Sequence, residues 1–156
     1  MKHLQIEYIH PFKSLMASLY FFIKKKDGSL QLVQNYQTLD LITTKNRYPF
    51  PLILELINKL QRAKYFMKLD VWWGYNNVQI REVDEWKAAF QCNHRLFEPI
   101  VIMFGFTNSS AIFQTMMNKI FTDLIAESKV CVYINDILIY LADLVECCQI
   151  IDMVLR

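Results

Sequence analysis

The sequence predicts an α+β fold. Apolar residues fall mostly into short runs the length of strands, such as Leu19–Ile23 and Tyr65–Leu69. One long apolar stripe, from Ile112 to Ile125, keeps helical spacing instead. Strand-like and helix-like segments follow one another without the regular alternation of a parallel βαβ sheet. The chain has 156 residues, about one domain's worth.

Residues 1–18 are weakly patterned, and residues 1–13 read as an N-terminal arm. Leu19–Ile23 predicts a strand. Lys24-Lys25-Lys26-Asp27-Gly28 predicts a basic turn, because Asp-Gly suits a tight hairpin. Leu30–Val33 is then the returning strand. Residues 40–50 read as irregular. Pro51 sits where the first turn of a helix tolerates proline, and Ile53, Leu56, Ile57 and Leu60 fall on one helical face. Tyr65–Leu69 predicts a strand ending at Asp70, followed by an aromatic turn over Val71–Tyr75. Asn77–Ile80, Ala88–Cys92 and Pro99–Phe104 predict three further strands. Thr107, Asn108, Ser109 and Ser110 are N-cap candidates for the helix that carries the long stripe. Val130–Ile134 and Ile137–Tyr140 predict a hairpin around a two-residue turn at Asn135-Asp136. Residues 143–156 predict a closing helix.

Composition removes several classes. With 54% hydrophobic and 21% charged residues, three Gly and four Pro, the chain is neither collagen-like nor a disordered linker. It holds no run of about 18 apolar residues, so no membrane span is expected. The first residues lack the apolar centre of a signal peptide. Cys92, Cys131, Cys147 and Cys148 form neither a metal-ligand spacing nor a disulfide framework, which predicts reduced thiols and an intracellular location, cytoplasm or nucleus. His3, His10 and His94 are scattered, which argues against a histidine-based metal site. The net charge of +2 hides an asymmetry. Residues 1–68 carry eleven Lys and Arg against four Asp and Glu, and residues 69–156 carry six against eleven. The first part suits a polyanion and the second suits cations.

Two carboxylates stand apart from the other acidic residues. Asp70 ends an apolar strand, and Asp136 sits on an apolar hairpin. A charge flanked by residues that favour burial needs a partner or a metal. Two-metal phosphoryl-transfer sites use carboxylates in this way, with Mg²⁺ shared between protein oxygens and substrate phosphates. Spacing alone favours the plainer reading, in which both are turn or strand-end residues that face water, because Asp is common in turns.

The segments FFIKKKDG, KNRYPFPL, AKYFMKLDVWWGYNNVQI, DEWKAAF, FGFTNSSAIFQTMMNKIF and VYINDILIY occur in an order and spacing that resemble the reverse transcriptase of gypsy-type LTR retrotransposons, particularly fungal ones. The likeness runs from about Ser14 to the end. It implies the fingers and palm of a right-hand polymerase, with an antiparallel palm sheet packed on helices. On that basis residues 14–68 are mostly fingers and the entry to the palm, and residues 69–156 are mostly palm. The thumb, connection, RNase H and integrase regions that follow in the family are not in this sequence.

The resemblance also assigns roles. Asp70 and Asp136 match family metal-binding aspartates, with the backbone carbonyl of Val71 assisting. The family's Tyr-x-Asp-Asp hairpin is here Tyr133-Ile134-Asn135-Asp136, so Asn135 replaces one catalytic aspartate. Tyr75 matches the aromatic residue that excludes a ribose 2′-OH. Phe104 and Gly105 match residues under the incoming nucleotide and template, and Lys25 matches the fingers lysine that reaches the triphosphate. Gln31 stands where an arginine commonly clamps a phosphate. Ser110 stands where the family has proline.

The implied activity is RNA-directed DNA polymerisation on a template-primer with deoxynucleoside triphosphates and two Mg²⁺ ions. Asn135, Gln31 and the lack of thumb residues predict that it is weakened or lost. Two other functions fit the same residues: a non-catalytic nucleic-acid-binding module that uses the basic part alone, and a relic with no selected function.

Overall fold

The short apolar runs fold as strands and close into several small antiparallel sheets. The computed structural model of the chain describes residues 8–11, 14–93 and 95–155. Most of the expected arm lies outside these residues, as do His3 and His94. The chain folds into two compact units, each made of two separate stretches. One combines residues up to Lys45 with Trp73–Ser109, and the other combines Asn46–Trp72 with the stretch from Ser110 onward.

In the first unit, β1 (Ile9–Pro11) forms within the weakly patterned beginning of the chain. It pairs antiparallel with β6 (Arg95–Pro99), which also pairs with β5 (Phe90–Cys92). A second sheet is the hairpin of β2 (Leu19–Lys24) and β3 (Leu30–Asn35), closed where Lys24 faces Leu30. The Gly28 N–H donates to the Lys25 carbonyl at 3.0 Å from a φ of +81°, a conformation glycine adopts at no steric cost. Asp27 accepts from both the N–H and the hydroxyl of Ser29, and these bonds lower its pKa.

Four details of this unit differ from the sequence expectation. A short helix, α1 (Gln37–Ile42), forms at the start of the segment expected to be irregular. Asn77–Ile80 is no strand; it keeps a single bridge between Gln79 and Val101, after a 3₁₀ turn over Gly74–Asn77. Ala88 belongs to a second 3₁₀ helix, Glu82–Ala88, so β5 starts two residues later than expected. The strand expected over Pro99–Phe104 lies earlier, at Arg95–Pro99. Proline has no N–H for a ladder bond, so it suits the last position of that strand. The core of the unit is built from Tyr36, Ala89, Phe90, Phe97 and Val101. The rings of Phe90 and Phe97 stack with centroids 5.9 Å apart, and the Tyr36 hydroxyl donates to the Ala88 carbonyl at 2.9 Å.

The second unit is a three-stranded sheet with four helices. β4 (Tyr65–Asp70), β7 (Val130–Tyr133) and β8 (Asp136–Leu141) pair in the order β4-β8-β7, so β8 is central. Val130, Val132, Ile137 and Ile139 alternate inward and are buried with Phe113, Met117 and Ile150. The long stripe folds as two helices, α3 (Ser109–Ile120) and α4 (Thr122–Ala126), separated at Phe121, whose φ and ψ of −103° and 22° leave the helical range. α2 (Ile53–Leu60) forms where its period predicts, but Ile53 and Ile57 remain exposed. α5 (Leu144–Val154) starts at Asp143, whose carboxylate caps the Glu146 N–H at 2.9 Å.

The hairpin of this unit corrects the expected turn. Tyr133 pairs with Asp136, so the turn residues are Ile134 and Asn135 rather than Asn135 and Asp136. The left-handed position, φ 54°, belongs to Ile134. Asn135 therefore does not hold the turn by its tolerance of positive φ.

Candidate active site

Asp70 is the last residue of β4 and Asp136 the first of β8, and the antiparallel register sets them directly opposite one another. Side chains opposite in such a pair share one face of the sheet, with Cβ atoms about 4.5–5.5 Å apart. Two carboxylates in that relationship repel, and the strand pairing bears the cost unless a cation offsets it. Lys68 supplies part of that charge. It lies two residues before Asp70, on the same face by the period of the strand, and its Nζ is 3.0 Å from Asp136 Oδ2. Sequence reasoning missed Lys68; the alternation Lys68-Leu69-Asp70 was the available signal.

The turn that leads into β8 is tied to the chain leaving β4. The Val71 N–H donates to the Asn135 carbonyl at 2.8 Å. The Asn135 side-chain oxygen is buried and has no hydrogen-bond partner among the described residues. Two carboxylates set opposite one another offer hard oxygen donors, which suit a divalent cation of the magnesium or manganese kind. The residues present therefore fit such an ion, with Asp70 and Asp136 as the charged ligands.

Gln114 of α3 is the other residue sequence reasoning missed. It has no solvent exposure, and its amide oxygen accepts the Ile134 N–H at 2.7 Å. Its amide nitrogen donates to the Val132 carbonyl at 3.0 Å and to Asn118 Oδ1 at 2.9 Å. In sequence Gln114 is one polar residue within an apolar stripe; burial with three partners is what distinguishes it.

The first unit brings together Tyr75, Phe104 and Gly105. The rings of Tyr75 and Phe104 meet edge to face with centroids 5.7 Å apart, and Phe104 is half exposed. Gly105 has φ +110°, and a Cβ there would lie 3.2 Å from the Gln34 carbonyl oxygen and 3.4 Å from the Tyr36 ring. Beneath it, Tyr36 stacks on Phe106 at 4.1 Å. The result is an aromatic ledge next to a backbone position that only glycine suits. Lys25 is not part of that ledge. It is exposed at the tip of the β2–β3 hairpin, five residues beyond Tyr20, the partner of Gln34. At about 3.3 Å per residue it lies roughly 16 Å away along the strand. Gln31 is half buried within β3, opposite Ile23.

Paired carboxylates with hard-oxygen donors are the equipment of metal-assisted phosphoryl transfer, the class that includes polymerases and nucleases. Comparison with known proteins narrows the class. Residues 23–156 match the family model described as reverse transcriptase (RNA-dependent DNA polymerase), and the chain belongs to this family. The Tf2-3 and Tf2-7 transposon polyproteins of Schizosaccharomyces pombe are 38% and 37% identical to it over 128 residues. Those matches cover 82% of the chain but only 10% of each polyprotein, so the chain spans about a tenth of these relatives. A foamy viral protease–reverse transcriptase in complex with an RNA/DNA hybrid superposes with a TM-score of 0.86 at 20% identity, over 97% of this chain and 20% of that one. The native prototype foamy virus protease–reverse transcriptase gives a TM-score of 0.80 at 23% identity, again over 97% and 20%. These structural likenesses show the fold. Enzymes of the family generally depend on divalent metal.

Proposed function

We propose that this chain is the fingers and palm of a gypsy-type LTR retrotransposon reverse transcriptase, and that its nucleotidyl-transfer activity is impaired. The observation that carries the reading is the register that sets Asp70 opposite Asp136 across β4 and β8. The palm assignment rests on that sheet and the fingers assignment on the basic β2–β3 hairpin, together with the family match over residues 23–156. The foamy viral relatives described with double-stranded DNA and with an RNA/DNA hybrid support a template-primer as the partner of this chain.

The proposed reaction is attack of a primer 3′-OH on the α-phosphate of a deoxynucleoside triphosphate, with pyrophosphate leaving. Two Mg²⁺ ions, when bound, supply activation of the hydroxyl and neutralisation of the phosphates. Asp70 and Asp136 hold the charge that recruits them, and the Val71 carbonyl adds a neutral oxygen. Tyr75 presents its ring to the sugar and discriminates against a 2′-OH. Phe104 and Gly105 support the base pair being copied, since a flat ring and a side-chain-free backbone let a nucleotide approach closely. Lys25, at the end of a long hairpin, reaches the triphosphate as a mobile point charge.

Asn135 is where this chain departs from that chemistry. Its amide keeps an oxygen donor but carries no charge, so the site holds one carboxylate fewer while facing the same phosphates. Gln31 removes a second favourable charge from β3. Losing one preorganised electrostatic element typically costs about 10²–10³-fold in rate. The same loss favours a second reading, in which the chain binds nucleic acid without extending it. Mg²⁺-dependent primer extension on an RNA template, wild type beside Asn135→Asp, tests the proposal. The variant is expected to be faster by about 10²-fold or more. Equal rates in the two proteins would refute the role given to Asn135. Salt-dependent template binding with no extension by either protein would favour the second reading.

A further inference from the structure

The first unit contains a second cluster of ligating side chains, drawn from three elements far apart in sequence. His10 on β1 lies directly opposite Glu98 on β6. Glu85, from the 3₁₀ helix Glu82–Ala88, completes the group, and one donor atom from each of the three lies within 4.8 Å of the others. Glu98 is 3% exposed. Its Oε2 is 3.5 Å from His10 Nε2, while its Oε1 has no hydrogen-bond partner among the described residues. A buried carboxylate with an orphaned oxygen, facing a second carboxylate, is short of positive charge. Lys87 of the same 3₁₀ helix does not supply it, because its ammonium is bonded to Asp84.

We infer that His10, Glu85 and Glu98 form a binding site for a divalent transition ion of the zinc kind, separate from the Asp70–Asp136 pair. One imidazole nitrogen and two carboxylate oxygens are a donor set that zinc accepts in tetrahedral geometry, with water in the fourth position. Magnesium, which keeps oxygen ligands and several waters, is a poor match for the imidazole. Zinc–ligand bonds of about 2.0–2.1 Å place neighbouring ligand atoms about 3.4 Å apart. His10 and Glu98 already stand at that separation, at 3.5 Å. Glu85 is half exposed and has to move inward by no more than about 1.5 Å to reach the same spacing. His10 is also partly exposed, so the ion has a way in and water has a way to the open position. The bound ion joins β1 to β6 and to the 3₁₀ helix, and so anchors the first described strand of the chain to the rest of its unit. The scattered histidines of the sequence hid this group, because its partners are glutamates some 75 and 88 residues away in the chain.

Calorimetric titration of the chain with Zn²⁺ tests the inference, alongside His10→Gln, Glu85→Gln and an Asp70→Asn/Asp136→Asn double variant. Wild type and the double variant are expected to bind one equivalent with equal affinity, while His10→Gln and Glu85→Gln bind it about tenfold more weakly or worse. Circular dichroism melts in chelator keep the outcome readable: the two single variants are expected to melt like wild type without metal and to lose the Zn²⁺-induced rise. Co²⁺ bound in place of Zn²⁺ is expected to show d–d absorption without a thiolate charge-transfer band. Unchanged Zn²⁺ affinity in both single variants, loss of the equivalent in the double variant, or a thiolate band that places the ion on a cysteine would each overturn the inference.

Discussion

Ile134 donates its backbone N–H to the side-chain oxygen of Gln114 at 2.7 Å, and it does so from a left-handed conformation with φ 54°. A β-branched residue rarely adopts that conformation, which costs about 1–2 kcal/mol. The bond across to α3 offsets the cost. Gln114 also holds the Val132 carbonyl, so one buried side chain fixes the strand and the turn on either side of Tyr133. Asn135 and Asp136 follow immediately. The position of the candidate catalytic carboxylate is thus set by a helix residue that takes no part in the chemistry.

Replacing Gln114 with Leu tests that dependence. The variant keeps the volume but leaves the Ile134 N–H and the Val132 carbonyl without their partner inside the protein. Each unpaired buried group costs about 1–3 kcal/mol, so urea unfolding is expected to show a loss of about 2–6 kcal/mol with an unchanged m-value. A loss below about 0.5 kcal/mol, the size of an ordinary surface substitution, would show that the turn holds itself.

Gly105 makes the corresponding demand in the first unit. Alanine there is strained by the φ of +110° and presses on the Gln34 carbonyl oxygen, 3.2 Å from its Cβ. Gln34 is buried in β3, so the backbone beneath cannot withdraw freely. Gly105→Ala is expected to lower stability by about 1–3 kcal/mol. It is also expected to weaken template-primer binding in a gel-shift assay, since it displaces the ledge of Tyr75 and Phe104. Stability and binding both equal to wild type would contradict the close fit.

Tyr36 gives the fold an alkaline limit. Burial pushes its phenol pKa well above the usual value near 10. Between the ordinary and the raised pKa the unfolded chain releases this proton and the folded chain keeps it, so stability falls as pH rises. The contribution is complete below about pH 10 and is lost progressively above it. Denaturant midpoints measured from pH 8 to 11 are expected to decline above pH 10 in wild type and to decline less in Tyr36→Phe. The variant also loses the bond to the Ala88 carbonyl, so its midpoint at pH 8 is expected to be lower by the equivalent of about 1 kcal/mol.

What was legible in the sequence is what local periodicity encodes. The β2–β3 hairpin, β4, the two strands of the Asp136 hairpin and α5 lie within one or two residues of their expected positions, because each carries its own apolar pattern or cap. Two of the failures share a cause. β1 and the bridge at Gln79 depend on partners distant in sequence, and no pattern within Ile9–Pro11 announces Pro99. The turn was displaced by one residue because Asn favours turns by chemistry, whereas Gln114 stabilises an isoleucine there instead. For the candidate site, Asp70 and Asp136 could be singled out as charges among apolar residues. Lys68 had only its alternation with Asp70 to mark it, and Glu98 had nothing, since a glutamate before a proline is ordinary until register and burial are known.

Lys68 gives the last prediction. Its ammonium sits 3.0 Å from Asp136 Oδ2, on the sheet face that also carries Asp70. A divalent ion on the same carboxylate has to displace it, so the lysine and the metal compete. Both side chains of the ion pair are well exposed, which limits the strength of that competition to about 1 kcal/mol or less. Lys68→Met removes the competitor and leaves the two carboxylates facing each other uncompensated. Mn²⁺ binding, followed by electron paramagnetic resonance, is expected to tighten by about fivefold or less. In chelator the variant is expected to melt lower than wild type, because the repulsion across β4 and β8 is then unopposed, and added Mn²⁺ is expected to raise its melting temperature by more. A weaker affinity for Mn²⁺ in Lys68→Met would mean the opposite, that the lysine holds Asp136 in the orientation the ion requires. The direction of that one change decides whether Lys68 competes with the metal or prepares its site.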